Sequence, residues 1–221
     1  MENNNINEVM KSLSELYAKK DYKKALEMLE QSSQLFDSGT YHYNLGTVHA
    51  KLGQFAVARF HYEKAIKDGY RSEALLNNLS YTKSKVSLDD LSNSDAPMDR
   101  ILDASSIMPL TYFMLFASMI FFMGNLWMYW NKSYRWWKLS LLTVVAITPI
   151  LFKVSYVDTK PLAIALKDSA LFEGPSSIFE QKGEIKAGSK VRIGKINDKW
   201  IYIVSPQSMV GWTEKDKLGI Y

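Results

Sequence analysis

The sequence shows no nucleophile placed with a base and no paired-carboxylate site, the arrangements that nucleophilic and acid–base chemistry need. The 221 residues include three histidines, His42, His49 and His61, and no cysteine, which excludes disulfides, thiol catalysis and cysteine-ligated metals. A metal site needs ligands that converge, and about two helical turns separate His42 from His49, so packing roles are expected for the histidines. Glu180 and Glu184 are interpreted as parts of a solvated turn rather than as catalytic carboxylates. The sequence therefore predicts a protein that is not an enzyme and needs no cofactor or metal.

Two apolar runs dominate the middle of the chain, Met108–Trp130 and Trp136–Val157. The first has no charged residue and, at about 1.5 Å per residue, forms a helix of roughly 34 Å, enough to cross a hydrocarbon core of about 30 Å. A buried helix of a globular protein is the alternative. The uninterrupted core of the second run, Leu139–Phe152, is short, which leaves an interfacial or re-entrant segment as its alternative. It reaches a spanning length when its flanks are included and Lys138 and Lys153 extend towards the headgroups.

The connector at residues 131–135 decides the expected orientation. Lys132 and Arg135 lie in it and Lys138 follows, and such residues are retained on the cytoplasmic side. The sequence therefore predicts a hairpin with a cytoplasmic connector and both flanking domains on the outer side of the membrane, which is the periplasm in the case of a bacterial inner membrane. The start, Met1-Glu-Asn-Asn-Asn, shows no signal peptide. A true start further upstream, or a cytosolic N-terminal domain, are therefore the alternatives.

Residues 8–85 contain no proline and are typical of helices with short breaks. The predicted helices are Glu8–Lys19, Tyr22–Leu35, Tyr41–Lys51, Phe55–Lys67 and about 72–85. Leu45 and Gly46 fall 34 positions before Leu79 and Ser80. A helix–turn–helix period of this length is the signature of tetratricopeptide repeats.

The segment Tyr43-Asn44-Leu45-Gly46, followed by Ala58, Tyr62 and Ala65, resembles the consensus of that repeat in order and spacing. Two repeats and a capping helix are predicted, with small residues allowing close approach of the helices. The resemblance implies a scaffold that binds a peptide or protein in its concave groove. The residues expected to line the groove are Tyr43, Asn44, Thr47, Lys51, Asn77, Asn78 and Tyr81. The alternative for Asn44 and Asn78 is that they only serve contacts between helices.

After Val157 the pattern alternates with period two. It predicts strands at Ala163–Phe172, Val191–Ile196, Trp200–Val204, Met209–Trp212 and Leu218–Tyr221. Short strands with frequent turns indicate a small all-β barrel. Gly174-Pro175-Ser176, Gly188, Asp198-Lys199-Trp200 and Gly211-Trp212 together resemble a bacterial SH3-like domain.

That resemblance implies binding of cell-wall peptides or protein partners. The candidate binding surface consists of Trp200, Tyr202 and Trp212, because flat rings offer contact area at a low entropy cost. The alternative, that Trp200 and Trp212 belong to the core of the barrel, is favoured.

The sequence thus predicts a multidomain membrane protein in four parts: an all-α repeat domain at 1–87, a linker at 88–107, a two-helix transmembrane hairpin at 108–157 and the SH3-like domain at 158–221. The spans of the hairpin are 108–130 and 136–157. Within the linker, Ile101 and Leu102 can begin a short interfacial helix. The net charge of +4 is explained by the connector, so no nucleic-acid partner is expected.

This order of parts resembles the BatE proteins of the Bacteroides aerotolerance operon. The resemblance implies a non-enzymatic accessory protein of the inner membrane that works with von Willebrand factor A-type Bat proteins and a MoxR-type ATPase. The repeats would bind a protein partner, and the SH3-like domain would contact the wall or a partner. The alternative is a wall-sensing or wall-anchoring protein in which the SH3-like domain binds peptidoglycan and is the primary module.

Overall fold

The computed structural model describes residues 2–86, 91–132 and 134–221. They form two compact units, one combining the helical segment up to Ala96 with the segment Pro161–Tyr221, and one running from Pro97 to Lys160. The helices are α1 (Glu2–Ala18), α2 (Tyr22–Gln31), α3 (Ser38–Lys51), α4 (Phe55–Lys67), α5 (Glu73–Ser84), α6 (Pro97–Ile107), α7 (Leu110–Trp130) and α8 (Trp136–Phe152). The strands are β1 (Leu162–Ala165), β2 (Ser169–Phe172), β3 (Gln181–Ile185), β4 (Lys190–Asn197), β5 (Trp200–Ser205), β6 (Gly211–Glu214) and β7 (Leu218–Ile220).

Helices α1 to α5 follow one another as a helical repeat. Asp37 and Ser72 cap α3 and α5 through side-chain acceptors for the N–H groups of Thr40 and Leu75. The helix predicted at Tyr22–Leu35 is shorter: it ends at Gln31, and a 3₁₀ turn follows. Helix α4 has the predicted bounds.

Gly46 fixes the distance between α3 and α4. A Cβ placed on Gly46 would lie 2.7 Å from the ring of Tyr62 and 3.2 Å from the carbonyl oxygen of Ala58. The Tyr62 ring therefore packs directly on the α3 backbone and is fully buried. Close approach of the helix pair thus requires glycine at this position, as the repeat pattern predicts.

The second unit contains α6, α7 and α8. Helix α6 occupies residues 97–107 of the segment predicted as a linker; residues 88–90 of that segment lie outside the described residues. Both α7 and the 22-residue helix Trp136–Val157, which includes a π-helical last turn, are long and apolar enough to cross a membrane. They pack closely at Gly124, where a Cβ would overlap the side chain of Leu142.

Lys153 departs from the sequence prediction. It is 4% exposed and does not extend outwards. Its Nζ donates to the backbone oxygen of Ser105 at 2.9 Å and lies 2.8 Å from a carboxylate oxygen of Asp158. The cation at the end of the second span is thus satisfied by α6 and by the turn that follows the span.

The strands form one antiparallel sheet in the order β3-β2-β6-β5-β4-β1-β7. Among the described strands the two edges, β3 and β7, are not paired with each other, so the sheet is not closed and the prediction of a barrel was wrong. Its core is lined by Val191, Ile193, Ile201 and Ile203, each fully buried. The register between β4 and β5 shifts twice, which bends β4.

Two predictions about the start of this domain were also wrong. The single strand expected at Ala163–Phe172 is two strands, β1 and β2, that pair with different neighbours. The turn expected around Glu180 and Glu184 contains strand β3, which pairs with β2; Ala170 lies opposite Glu184. Glu184 forms an ion pair with Lys186 at 2.6 Å on the exposed side of that strand.

Candidate binding surfaces

The predicted groove residues divide into a cluster around the hydroxyl of Tyr62 and an exposed set. Thr47 Oγ1 accepts a hydrogen bond from the Tyr62 hydroxyl at 3.3 Å and donates to the backbone oxygen of Tyr43 at 2.9 Å. The side chain of Asn78 on α5 is also within hydrogen-bonding reach of that hydroxyl. Burial raises the pKa of Tyr62 to about 12 despite the bond to Thr47. Tyr62, predicted only as a packing residue, therefore holds three helices together beneath the groove.

Tyr43 extends this cluster towards the end of α4. Its ring stacks on Tyr70 with centroids 4.9 Å apart and 18° between the planes, and lies 6.2 Å from Tyr62. An aromatic pair here stabilises the loop before α5, in addition to the buried area.

The exposed set comprises Lys51, Asn77 and Tyr81. Tyr81 is 55% exposed, packs edge-on against Phe55 at 6.1 Å and has the ammonium group of Lys85 5.3 Å from its ring centre. These groups present hydrogen-bonding, aromatic and cationic contacts on the first helices of successive pairs, which suits an extended polypeptide partner.

Asn44 stands apart from both sets. Its Nδ2 is buried and has no hydrogen-bond partner among the described residues. Since this nitrogen is shielded from solvent, the position favours the alternative that Asn44 serves contacts between helices.

The aromatic residues predicted on the sheet domain lie together on the face opposite its core. Along β5, Ile201 and Ile203 are fully buried, whereas Trp200 and Tyr202 are half-buried and point the other way. Tyr202 and Trp212 have ring centroids 5.3 Å apart, and Phe172 packs edge-on against Trp200 at 5.5 Å. The alternative favoured from sequence, that both tryptophans are core residues, does not agree with this alternation. We call Phe172, Trp200, Tyr202 and Trp212 the aromatic face.

A cavity of about 680 Å³ opens at one end of the aromatic face. It is lined by Trp200 and by charged residues of two turns, namely Asp198, Lys199, Glu214, Lys215 and Asp216. The volume is in the range of small-ligand and peptide subsites. A ring beside both signs of charge can bind a peptide that carries an ammonium group, a carboxylate or both.

The helical repeat and the sheet meet in a buried ionic junction. Lys190 Nζ lies 2.9 Å from Glu63 Oε2, and Arg59 Nη1 donates to the backbone oxygen of Gly188 at 2.7 Å. Arg59 Nη2 is 3.7 Å from Glu63 Oε1. Exposure of all three side chains is 4% or less. Burial alone would raise the pKa of Glu63, but the Lys190 and Arg59 cations outweigh it and hold this pKa below its ordinary value.

An apolar cluster surrounds these charges. Leu91, Leu162, Ile164 and Tyr221 form it, with Phe60 packed against them, and a Cβ on Gly219 would lie 2.6 Å from the Phe60 ring. The junction was not predicted. In the sequence Arg59 and Glu63 have the spacing of an ordinary surface pair on a helix, and the sheet residues lie more than 120 positions away.

The three histidines, for which packing roles were expected, lie together in one cluster. His42 Nδ1 and His61 Nδ1 are 2.9 Å apart, and the rings of His42 and His49 each stack on His61, with centroids at 5.1 and 5.2 Å. In the part of the chain that the structure describes, no group of three or more histidine, aspartate or glutamate side chains is arranged to hold a metal ion.

Comparison with known proteins supports the helical part of this picture. Residues 39–68 match the family model of the tetratricopeptide repeat, and they comprise α3, α4 and the turn between them. No curated protein and no solved structure matches the chain.

Proposed function

We propose that this chain is a non-enzymatic, membrane-anchored scaffold that binds a protein partner in its repeat groove. The observation that carries the proposal is the tetratricopeptide repeat at 39–68. Its two helices differ in what covers them. On α4, Arg59, Phe60 and Glu63 contact the chain's own sheet, while Lys51 of α3 is exposed. A repeat whose second helix is already covered within the molecule uses its first helices for a partner.

The resemblance to BatE proteins gives the partner its proposed class. On that basis the partner is a von Willebrand factor A-type Bat protein, and the assembly includes a MoxR-type ATPase of the inner membrane and serves aerotolerance. The two candidate spans and the repeat support a membrane-bound interaction protein in general. The specific assignment depends on the resemblance alone.

Charge reversal in the groove tests the proposal. In membranes of cells that express the full chain, mild crosslinking should capture a partner. The Lys51→Glu/Tyr81→Ala chain should lose at least about tenfold of it, because hot-spot contacts in an interface contribute more than about 1 kcal/mol each. Lys23→Glu, an exposed lysine on α2, is the matched control and should retain capture. Equal capture by both variants would show that the partner does not bind in the groove.

The junction also supports a proposed topology. Because the segments before and after the two spans contribute to one buried junction, they lie on the same side of the membrane. With the positively charged connector retained in the cytoplasm, that side is the periplasm.

Reporters at both ends check this topology. Periplasm-active reporters fused at Asn5 and at Tyr221 should both be active, and a reporter inserted at Lys132 should not. The chain should also stay with membranes in carbonate. Activity at only one end would contradict the hairpin. Activity at Lys132 alone would show the opposite orientation, with the connector in the periplasm and both ends in the cytoplasm.

The aromatic face with its cavity favours a second candidate function, binding of peptidoglycan by the SH3-like domain. Purified full chain in detergent should then sediment with isolated sacculi, and Trp200→Ala and Tyr202→Ala should each reduce the bound fraction severalfold. Phe179→Ala, which removes an exposed ring outside the aromatic face, serves as the control. Sedimentation that is the same for all variants would exclude this face as the wall contact.

A further inference from the structure

The histidine cluster borders the junction between the repeat and the sheet. Phe60, next to His61 on α4, has its ring centre 5.0 Å from His61, 6.5 Å from His42 and 6.1 Å from Tyr221. Tyr221 in turn has its hydroxyl 3.5 Å from Glu63 Oε2. A single ring therefore separates the cluster from the apolar and ionic contacts that hold the two domains together.

The pair His42–His61 can hold only one proton between its facing nitrogens. At 2.9 Å, one Nδ1 donates and the other accepts. A second proton would place two N–H groups against each other and would break the bond. His49 cannot accept a hydrogen bond from the additional proton through its Nδ1, because that nitrogen is already hydrogen-bonded to Gln54 Oε1 at 2.6 Å. The His49 ring stacks on His61.

The charged and titratable groups around the cluster give a positive charge little compensation. On α4, the charge of Lys64 adds to the effect of burial and lowers the pKa of both histidines. The charge of Asp68 raises the pKa of His42 only. Asp68 is itself engaged by the Ser38 hydroxyl at 2.5 Å and by Lys64 at 3.7 Å. On α3, the ring of Tyr41 lies beside His42. Burial, together with the charge of Glu30 on α2, raises the pKa of Tyr41. From the sheet domain there is Tyr221, over whose ring lies the ammonium group of Lys67.

We propose that this cluster is an acid-sensitive latch: uptake of protons by His42 and His61 releases Phe60 from Tyr221 and opens the junction between the repeat and the sheet. The proposal concerns the contact between the two domains and does not depend on the identity of a partner. Its consequence is that the groove and the aromatic face are held in one rigid body at neutral pH and move independently in acid.

The direction and size of the effect follow from proton linkage. Burial, together with the other histidines and Lys64, lowers the pKa of His61 to about 3, and burial lowers that of His42. When the junction opens and water reaches them, these groups return towards the ordinary pKa of about 6.5. Proton uptake by His61 on opening therefore raises the open population about 25-fold between pH 7 and pH 5, and uptake by His42 adds to this in the same direction. Glu63 contributes at most about 1.3-fold in the same interval, because its ordinary pKa of 4.5 lies below that window.

A single cysteine reports on the opening, because the natural chain has none. Ile164→Cys lies in the fully buried junction cluster, and Ile203→Cys lies in the sheet core as the matched control. Labelling rates of the full chain in detergent are measured at pH 7 and pH 5, each relative to the exposed Gln207→Cys, which cancels the pH dependence of the thiol.

We expect the relative rate at Ile164→Cys to rise at least about 25-fold in acid, with little change at Ile203→Cys. In the His42→Gln/His61→Gln background the rise should fall below about threefold. If that double variant lacks native helicity at pH 7, His61→Phe takes its place, since phenylalanine keeps the ring contacts and cannot take up a proton. An undiminished acid response in the variant used, an equal rise at Ile203→Cys, or no rise in the natural background would each overturn the latch.

Discussion

Glu63→Ala is expected to lower the free energy of unfolding of the full chain by about 3–5 kcal/mol, because it removes a buried carboxylate that lies 2.9 Å from Lys190 and 3.7 Å from Arg59. Lys190 is 1% exposed and Arg59 is 0% exposed, so water cannot replace the carboxylate. Thermal and denaturant unfolding in detergent, followed by circular dichroism, measure the loss. Glu173→Ala removes a half-exposed partner of Lys182 and should cost under about 1 kcal/mol.

A second variant separates loss of the ion pair from loss of volume. The Glu63→Met/Lys190→Met chain removes both members of this ion pair and keeps most of their volume, so most of the stability should return. Arg59 would still donate to the Gly188 carbonyl. A double variant as unstable as Glu63→Ala would show that the junction depends on the charges of the two side chains and not on their volume.

The pH dependence of this pair has a definite sign. The pKa of Glu63 is lower in the folded chain than its ordinary value, so its contribution is fully present above the ordinary pKa of about 4.5 and is lost as the pH falls through the folded value. The histidine contribution is lost at a higher pH, beginning below about 6.5. Acid therefore acts first on the histidine cluster and later on the ionic junction.

Sequence reasoning located the elements whose signal is local. Gly46, Ala58 and Tyr62 predicted a close helix pair, and the Cβ of a larger residue at 46 would indeed overlap Tyr62. Apolar length predicted two helices that can span a membrane. Alternation placed β4 and β5 within one residue of their observed bounds.

Features set by distant contacts were missed. Strand β3, Gln181–Ile185, has three polar or charged residues and a glycine in five positions, so its own sequence does not favour a strand; pairing with β2 stabilises it. The junction joins α4 to residues beyond position 187, and no local pattern marks either side. The histidines were judged by their spacing along one helix, whereas the partner that unites them, His61, lies on the next helix.

Ile203→Ala is expected to destabilise the sheet by about 2–5 kcal/mol, whereas Tyr202→Ala, one position earlier, should cost no more than about half as much. Ile203 is fully buried among Val191, Ile193 and Ile201, and truncation there leaves a cavity that a small sheet cannot collapse. Tyr202 lies on the aromatic face, partly exposed beside Trp212. Loss of its ring removes contact area on the surface and opens no cavity in the core.

The comparison decides which side of β5 is available to a ligand. Unfolding of the two chains in detergent gives the stability difference, and sedimentation with sacculi gives the binding difference for the same proteins. The two variants should lose different properties. Ile203→Ala should lose stability. If the wall is the ligand, Tyr202→Ala should stay folded and lose binding. Because successive side chains of a strand point to opposite faces, the two results identify which face of β5 is buried. Greater destabilisation by Tyr202→Ala than by Ile203→Ala would therefore place the aromatic residues in the core and withdraw the aromatic face as a binding surface.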